Sequence, residues 1–564
     1  MDVEAFRKSL ATHPNRPWVD SLLEAMEFGQ WPCHSGEAPS APPHRLVSRY
    51  TPSSEEDLVL VEEKVNKDVK KGLTSEGVEE LPPGFVISPL FCVHRVGHKT
   101  RVVNDQTASG LNEGTLRKDC PAVFDSVVDL IRIMRHKGLE NLPPGTVLWK
   151  TDVSAAFKAM LMHEAWQFRQ AVAVSHLQPD GSRKILYHVE WRGAFGTRAT
   201  PYLWTSIMGA LLWIIKERGD VEHPVAYMDD SLGMDTSGVL VERTYQGVTK
   251  MIPPQMAATL DVWTEHKVPF DEFQKAEFGR SLVTLGIQLN LDDLTASLPP
   301  ASVDKFVAEV EDFLATKSRA PALKRWRSIV GYGSHVCTVV PHARLWLTPL
   351  YEKLSFPNGD QKSIALAGVF LNNDVRESLR NIVTELQRGE PLSLLDPGLT
   401  EWSEKDADLV VYTDACLETV EGKSGLGFWF VHRGVRHHFY CRPDVRYKKI
   451  QLAETLCVAA AIKAVAGFGI RRLLIRTDSS AAVFAYDSGS AHDTEFLPLR
   501  SITLSSYDLL RQSKVDVRVL HIRGKDNDLA DRLSRAPVSA LRRDYKNLHH
   551  FAAPTEYLGG HAVA

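Results

Sequence analysis

Seven carboxylates carry the densest chemistry in this chain of 564 residues, and the first three sit in two short apolar stretches. Val147 to Val153 (VLWKTDV) alternates as a strand does and delivers Asp152 just before the helix-like SAAFKAML. Pro224 to Met234 (PVAYMDDSLGM) reads as strand, tight turn and strand, with Asp229 and Asp230 at the tip. Neighbouring strand residues point to opposite faces, so both acids serve one site only if the turn swings them round; buried without partners, they raise each other's pKa. Such a cluster calls for cations. Two divalent ions about 3.5 to 4 Å apart would clamp the attacking and leaving oxygens of an in-line phosphoryl displacement. Oxygen-only ligands favour Mg²⁺ or Mn²⁺ over zinc. Taken singly, the same residues make a polar turn and a helix N-cap.

The other four acids lie near the C-terminus. Asp414 ends the strand run LVVYT (409–413), whose antiparallel partner would be GLGFWFV (425–431). Glu454 opens the helix-like LAETLCVAAAIKAVAGF, and Asp478 follows the strand run 473–476. Asp531 stands ten positions after His521 in HIRGKDNDLAD. Four dispersed acids are unremarkable in a soluble domain, but each of these falls near an element end.

The surrounding text supplies the scaffolding. Lys+Arg 66 against Asp+Glu 70, a net charge of −4, excludes a uniformly basic coat, so any nucleic acid must be met by local basic stripes. The seven cysteines form no CxxC pair, which excludes a zinc ribbon and a disulfide framework and points to reduced thiols in an intracellular protein. The longest apolar run, 207–215, is too short for a hydrocarbon core of about 30 Å, so no membrane role is expected. Residues 1–52, rich in Pro and His, read as a loosely ordered leader. Strands and helices alternate from 53 to 298, the text is helical from 299 to 398, strand-rich text occupies 399–536, and a tail follows at 537–564. The fold class expected is mixed α+β and α/β, multidomain.

Tyr227-Met228-Asp229-Asp230 resembles the YxDD hairpin of reverse transcriptases, and Asp152 with Phe157 resembles that family's D-x-x-x-x-[FY] turn. The resemblance covers most of the chain. His98 to Asp105 with Leu111-Asn112 is similar to the fingers segment, which implies that Arg101 grips a triphosphate. Ala194 to Thr197 looks like the loop on whose Gly196 template and nucleotide lie, although Ala194-Phe195 departs from the commonest Leu-Pro form. In FQKAEF (273–278), Lys275 would face the phosphates. Phe157 would lie under the sugar and exclude a 2′-hydroxyl; from spacing alone, core packing is the commoner role of such an aromatic. The stretch 301–354 resembles the thumb, with Lys317, Arg319, Lys324, Arg325 and Arg327 around Trp326 able to track a phosphate backbone.

Asp414, Glu454, Asp478 and Asp531 with His521 in H-x-x-G together resemble ribonuclease H. In that family the four acids hold two Mg²⁺ ions and the His assists proton movement or product departure. Arg442, Arg446, Lys448 and Lys449 would seat the DNA strand or form a plain surface patch. The two resemblances imply a right-hand polymerase (fingers, palm, thumb) followed by a ribonuclease H-like α/β domain. They imply an RNA-directed DNA polymerase that degrades the RNA strand of the RNA:DNA hybrid, with two Mg²⁺ or Mn²⁺ ions per site. The partners implied are an RNA template, a DNA primer, dNTPs and other retroelement proteins, in a cytoplasmic ribonucleoprotein particle or the nucleus. Val340 to Arg344, Leu350-Tyr351 and ADRLSR (530–535) look most like DIRS-type tyrosine-recombinase retrotransposons. Two rivals stand beside this reading: a domesticated, catalytically silent nucleic-acid scaffold, which the intact acids oppose, and a palm-type RNA-directed RNA polymerase, which Phe157 and the C-terminal half oppose.

Overall fold

A computed structural model of the chain describes residues 1–33, 54–95, 98–219, 221–316, 319–354, 368–396, 399, 402–444, 446–487 and 497–558. The chain is mixed α/β and divides into two compact units, residues 1–285 and 286–564.

In the first unit, a four-stranded antiparallel sheet runs in the order Glu277–Gly279, Val147–Asp152, Asp230–Asp235, Val225–Tyr227. Helices Thr200–Glu217 and Pro254–Glu265 bury their apolar faces in the same core as Trp149, with Trp204 and Trp263 wholly enclosed. A second sheet pairs Ala171–Leu177 with Arg183–Val189, beside helix Glu55–Lys70. The hairpin Leu90–Arg95/His98–Asn104 stands apart as its own ladder.

The N-terminal residues depart from expectation. In place of a loose leader, Val3–Ser9 and Arg16–Phe28 are helices, and Phe6, Leu10, Val19, Leu22, Leu23 and Met26 enter the core. Positions 19, 22, 23 and 26 have helical spacing; Pro14, Pro17 and the flanking histidines masked it, because Pro is tolerated in a first helical turn. Residues 34–52 of that stretch lie outside the described residues.

In the second unit, helices Pro300–Leu314, Leu323–Val336, Arg344–Glu352 and Asn373–Gln387 pack together, with Phe306, Phe313, Trp326 and Leu379 buried. Trp326 is therefore core and not a platform for a nucleic acid. Arg325 is tied to Asp312 at 2.6 Å, while Lys324 and Arg327 are exposed; Lys317 lies outside the described residues.

The same unit carries a six-stranded sheet in the order Asp516–His521, Arg472–Thr477, Leu409–Cys416, Gly425–His432, Val435–Cys441, Leu548–His550. The first three strands are mutually parallel, and the middle hairpins are antiparallel. Helix Ile450–Val465, apolar all round, fills the core against the sheet, which explains why a segment long and apolar enough to span a membrane is 72% buried. The tail is also structured: Val538–Asp544 is a helix, and Leu548–His550 adds an edge strand parallel to Val435–Cys441.

Candidate active sites

The first cluster is assembled by register. Asp152 and Asp230 are direct cross-strand partners, so their side chains leave the same face. A one-residue slip would send Asp152 to the opposite face. Tyr227 pairs with Asp230, leaving Met228 and Asp229 as a two-residue loop in which Met228 holds a left-handed φ of 57°. Such a conformation is uncommon outside glycine and persists where neighbours impose it. Here Trp204 donates from Nε1 to the Met228 carbonyl at 2.9 Å, and Val153 N–H donates to the Asp229 carbonyl at 3.0 Å. The turn thus brings Asp229 to the Asp152–Asp230 pair.

The three acids are half-buried and repel one another. Desolvation, then Asp229, Asp230 and Asp271, push the Asp152 carboxyl up to about 7. Desolvation and Asp229 push Asp230 up to about 6, against the opposing charge of Lys150. Burial also raises Asp229, and the Arg101 guanidinium opposes the rise. Among the described residues Arg101 and Lys150 bring positive charge to this site, Lys150 while also paired with Glu277 at 2.9 Å.

The remaining residues expected here are placed as follows. Phe157 is 8% exposed and belongs to the core, with its ring 4.9 Å from that of Phe195, which is 42% exposed. Tyr227 is exposed, its ring 5.2 Å from Phe124. Lys275 is turned toward Glu272 (3.2 Å) and Asp271 (3.8 Å). Gly196 has φ +120°, and a Cβ there would fall 1.8 Å from the Asn104 carbonyl oxygen. Asn112 Nδ2 donates to the Gly196 carbonyl at 2.8 Å and locks the loop. Gly196→Ala is therefore expected to destabilise the chain by about 3 kcal/mol or more, since backbone meets backbone and neither can move away cheaply. A denaturant titration measures it; an unshifted midpoint would contradict the close approach.

The second cluster is tighter. One carboxylate oxygen from each of Asp414, Glu454 and Asp478 lies within 4.8 Å of the others, the only such metal-ligating group among the described residues. Asp414 lies in the central strand opposite Gly427, Glu454 at the start of the second turn of the core helix, and Asp478 just past strand Arg472–Thr477. Gly427 is needed because helix Asp528–Arg535 presses on it: a Cβ would lie 2.5 Å from the Ser534 nitrogen. That approach brings the Ser534 hydroxyl to Asp414 Oδ2 at 2.5 Å.

Desolvation, with Asp478 and Asp531 adding like charge, pushes Asp414 up to about 7 despite the Ser534 hydrogen bond. Desolvation, Asp414 and Asp478 push Glu454 up to about 9. Glu454 is 5% exposed, and its Oε2 has no hydrogen-bond partner among the described residues. An acceptor left unpaired beside two more carboxylates takes a proton, or a divalent cation that displaces it.

Asp531 stands outside this group of three. It is ion-paired with Arg535 one turn on, while its charge still acts on Asp414. His521 is exposed at the end of its strand, opposite Thr477 and one position short of Asp478 in that register. Arg442 is not available to seat DNA: its guanidinium donates to the carbonyls of Cys441, Leu533 and Ala536 and so clamps the end of the Asp531 helix. Arg446 pairs with Glu418 at 2.8 Å.

Sequence reasoning missed Ser534, Asn527, Lys150 and Trp204. Asn527 is buried and donates from Nδ2 to the Thr413 carbonyl at 2.9 Å, fixing the start of the Asp531 helix against the Asp414 strand. Its place in the loop after His521 was the one available signal.

No family model matches the chain, and no curated protein matches it in sequence. Among solved structures it is similar to the foamy viral protease-reverse transcriptase in three complexes, each at 15% identity. With its form described as protease-reverse transcriptase dRH, in complex with double-stranded DNA, the likeness covers 92% of this chain and 82% of that one at a TM-score of 0.42. With the RNA/DNA hybrid complex the figures are 95%, 86% and 0.39, and with a further double-stranded DNA complex 93%, 98% and 0.42. At that identity and those TM-scores the likeness by itself assigns no activity.

Proposed function

We propose that the chain is an RNA-directed DNA polymerase joined to a nuclease for RNA:DNA hybrids, the first unit serving as fingers and palm and the second as thumb and ribonuclease H-like domain. The observation that carries the reading is the pair of half-buried to buried carboxylate clusters, one in each unit, whose acids repel and lack enough cationic partners of their own. Asp152, Asp229 and Asp230 would hold Mg²⁺ or Mn²⁺ in the first; Asp414, Glu454, Asp478 and Asp531 would hold it in the second. When bound, the ions supply Lewis-acid stabilisation of the attacking and leaving oxygens.

The chain's own side chains would do the rest. Arg101 brings positive charge to the Asp229 side of the first site, where a triphosphate is neutralised, and Lys150 does the same beside Asp230. Phe157 and the Gly196 loop form the floor on which sugar and base rest. In the second site the Ser534 hydroxyl fixes the orientation of Asp414. His521, exposed and in register with Thr477 next to Asp478 in sequence, would move a proton or release product. Substrates would be an RNA template with a DNA primer and dNTPs, then the hybrid, sensed through its 2′-hydroxyls. Primer extension on poly(rA)/oligo(dT) with Mg²⁺ tests the polymerase; absence of dTMP incorporation by the wild-type chain would refute it.

The electrostatics also predict a stability signature. Asp414 at about 7 and Glu454 at about 9 lie above ordinary carboxyl values, so the folded state favours their protonated forms. Their contribution is complete below an unfolded pKa of about 4 and is lost as pH rises through those folded values. Millimolar Mg²⁺ should therefore raise the melting temperature more at pH 9 than at pH 6, because bound ligands must be ionised. An equal shift at both pH values would contradict it.

A further inference from the structure

A buried ion cluster adjoins Phe157 and the Phe195–Gly196 loop. Lys158, 8% exposed and next to Phe157, places its ammonium 2.5 Å from Glu190 Oε1 and 3.8 Å from Asp68 Oδ2, and Asp68 is also held by Lys64 at 2.5 Å. The second oxygen of Glu190 accepts from Asn104 Nδ2 at 2.9 Å. Asn104, 2% exposed, in turn donates from its backbone N–H to the Phe195 carbonyl at 3.0 Å and sets its own carbonyl where any side chain at position 196 would collide with it. The Phe195 ring meets that of Phe157 at 4.9 Å with a tilt of 48°. A closed circuit therefore runs from Phe157 through Lys158, Glu190 and Asn104 to the Phe195–Gly196 loop and back through the ring contact.

We propose that Glu190 and Lys158 are positioning residues that set the distance between Phe157 and the Gly196 loop, and thereby nucleotide affinity and the choice between deoxyribose and ribose. The inference rests on the polymerase reading. Neither side chain reaches the reacting atoms. They act through Asn104, whose amide donates to Glu190 and whose backbone abuts the loop. A buried carboxylate that bridges a cation and an amide fixes both at once, since the geometry of the pair is worth more than its net energy.

Two double variants separate this role from mere stability. Lys158→Met with Glu190→Leu removes both charges and the acceptor for Asn104, while Asp68 keeps Lys64. Lys158→Met with Glu190→Gln removes the same charges but leaves a carbonyl for Asn104. The first is expected to raise the KM for dTTP on poly(rA)/oligo(dT) about tenfold, with a smaller change in kcat, and to lower the preference for dTTP over UTP by a similar factor. The second should return both quantities to within about threefold of wild type. Melting temperature and cleavage of a preformed hybrid are read on the same proteins. Equal kinetics in the two doubles, or losses that follow melting temperature alone, would overturn the proposal. Wild type that extends no primer would instead overturn the polymerase reading.

Discussion

Asp229→Asn is expected to lower primer extension on poly(rA)/oligo(dT) by about a thousandfold while leaving cleavage of a preformed RNA:DNA hybrid within about twofold of wild type. The size follows from what the change removes. Asp229 sits at the turn held by Trp204, with Asp152 and Asp230 beside it, and an amide supplies neither the charge nor the second oxygen acceptor that a hard cation needs. The fold should survive, since relieving like-charge repulsion favours the native state. A parallel assay of synthesis and hybrid cleavage on one preparation measures it. Equal loss of both activities would mean that the two clusters are not independent sites.

Asp478→Asn should give the mirror image, abolishing hybrid cleavage by about a thousandfold and sparing DNA synthesis. Its carboxylate is one of three whose oxygens converge within 4.8 Å, and it is the least buried of them, so the substitution disturbs packing least. Gel analysis of a labelled RNA strand annealed to DNA reads the loss directly. Retained cleavage would show that Asp414 and Glu454 suffice without it.

Much of this architecture was legible because the chemistry sits where periodicity changes. The apolar strand text before Asp152 and Asp414, and the apolar helix carrying Glu454, formed as their alternation and composition required. The hairpin around Asp229 was legible because two apolar runs flank a two-residue turn. What the sequence hid has physical reasons. Val19, Leu22, Leu23 and Met26 were overlooked because prolines at the helix start look like loop, although Pro suits a first turn. Arg442 looked like a phosphate contact because sequence shows a charge and not the three carbonyls it satisfies. Ser534 and the Lys158–Glu190 pair were invisible because their roles arise from contacts over 120 and 32 positions, and no local pattern encodes such pairings.

The sequence resemblance to reverse transcriptases and ribonucleases H implies roles that burial alone does not. Phe157 shows the difference: its low exposure suits a core aromatic, while its ring also meets that of exposed Phe195. Its position against the Gly196 loop, and not its burial, is what a sugar-sensing role depends on.

The central claim is that both acidic clusters are cages for divalent cations. Anomalous diffraction from crystals of the full chain soaked in Mn²⁺ tests it most directly. Density is predicted between Asp152 and Asp229 in the first unit and among Asp414, Glu454 and Asp478 in the second. Mn²⁺ found only elsewhere, with these carboxylates protonated or turned to water, would contradict the account.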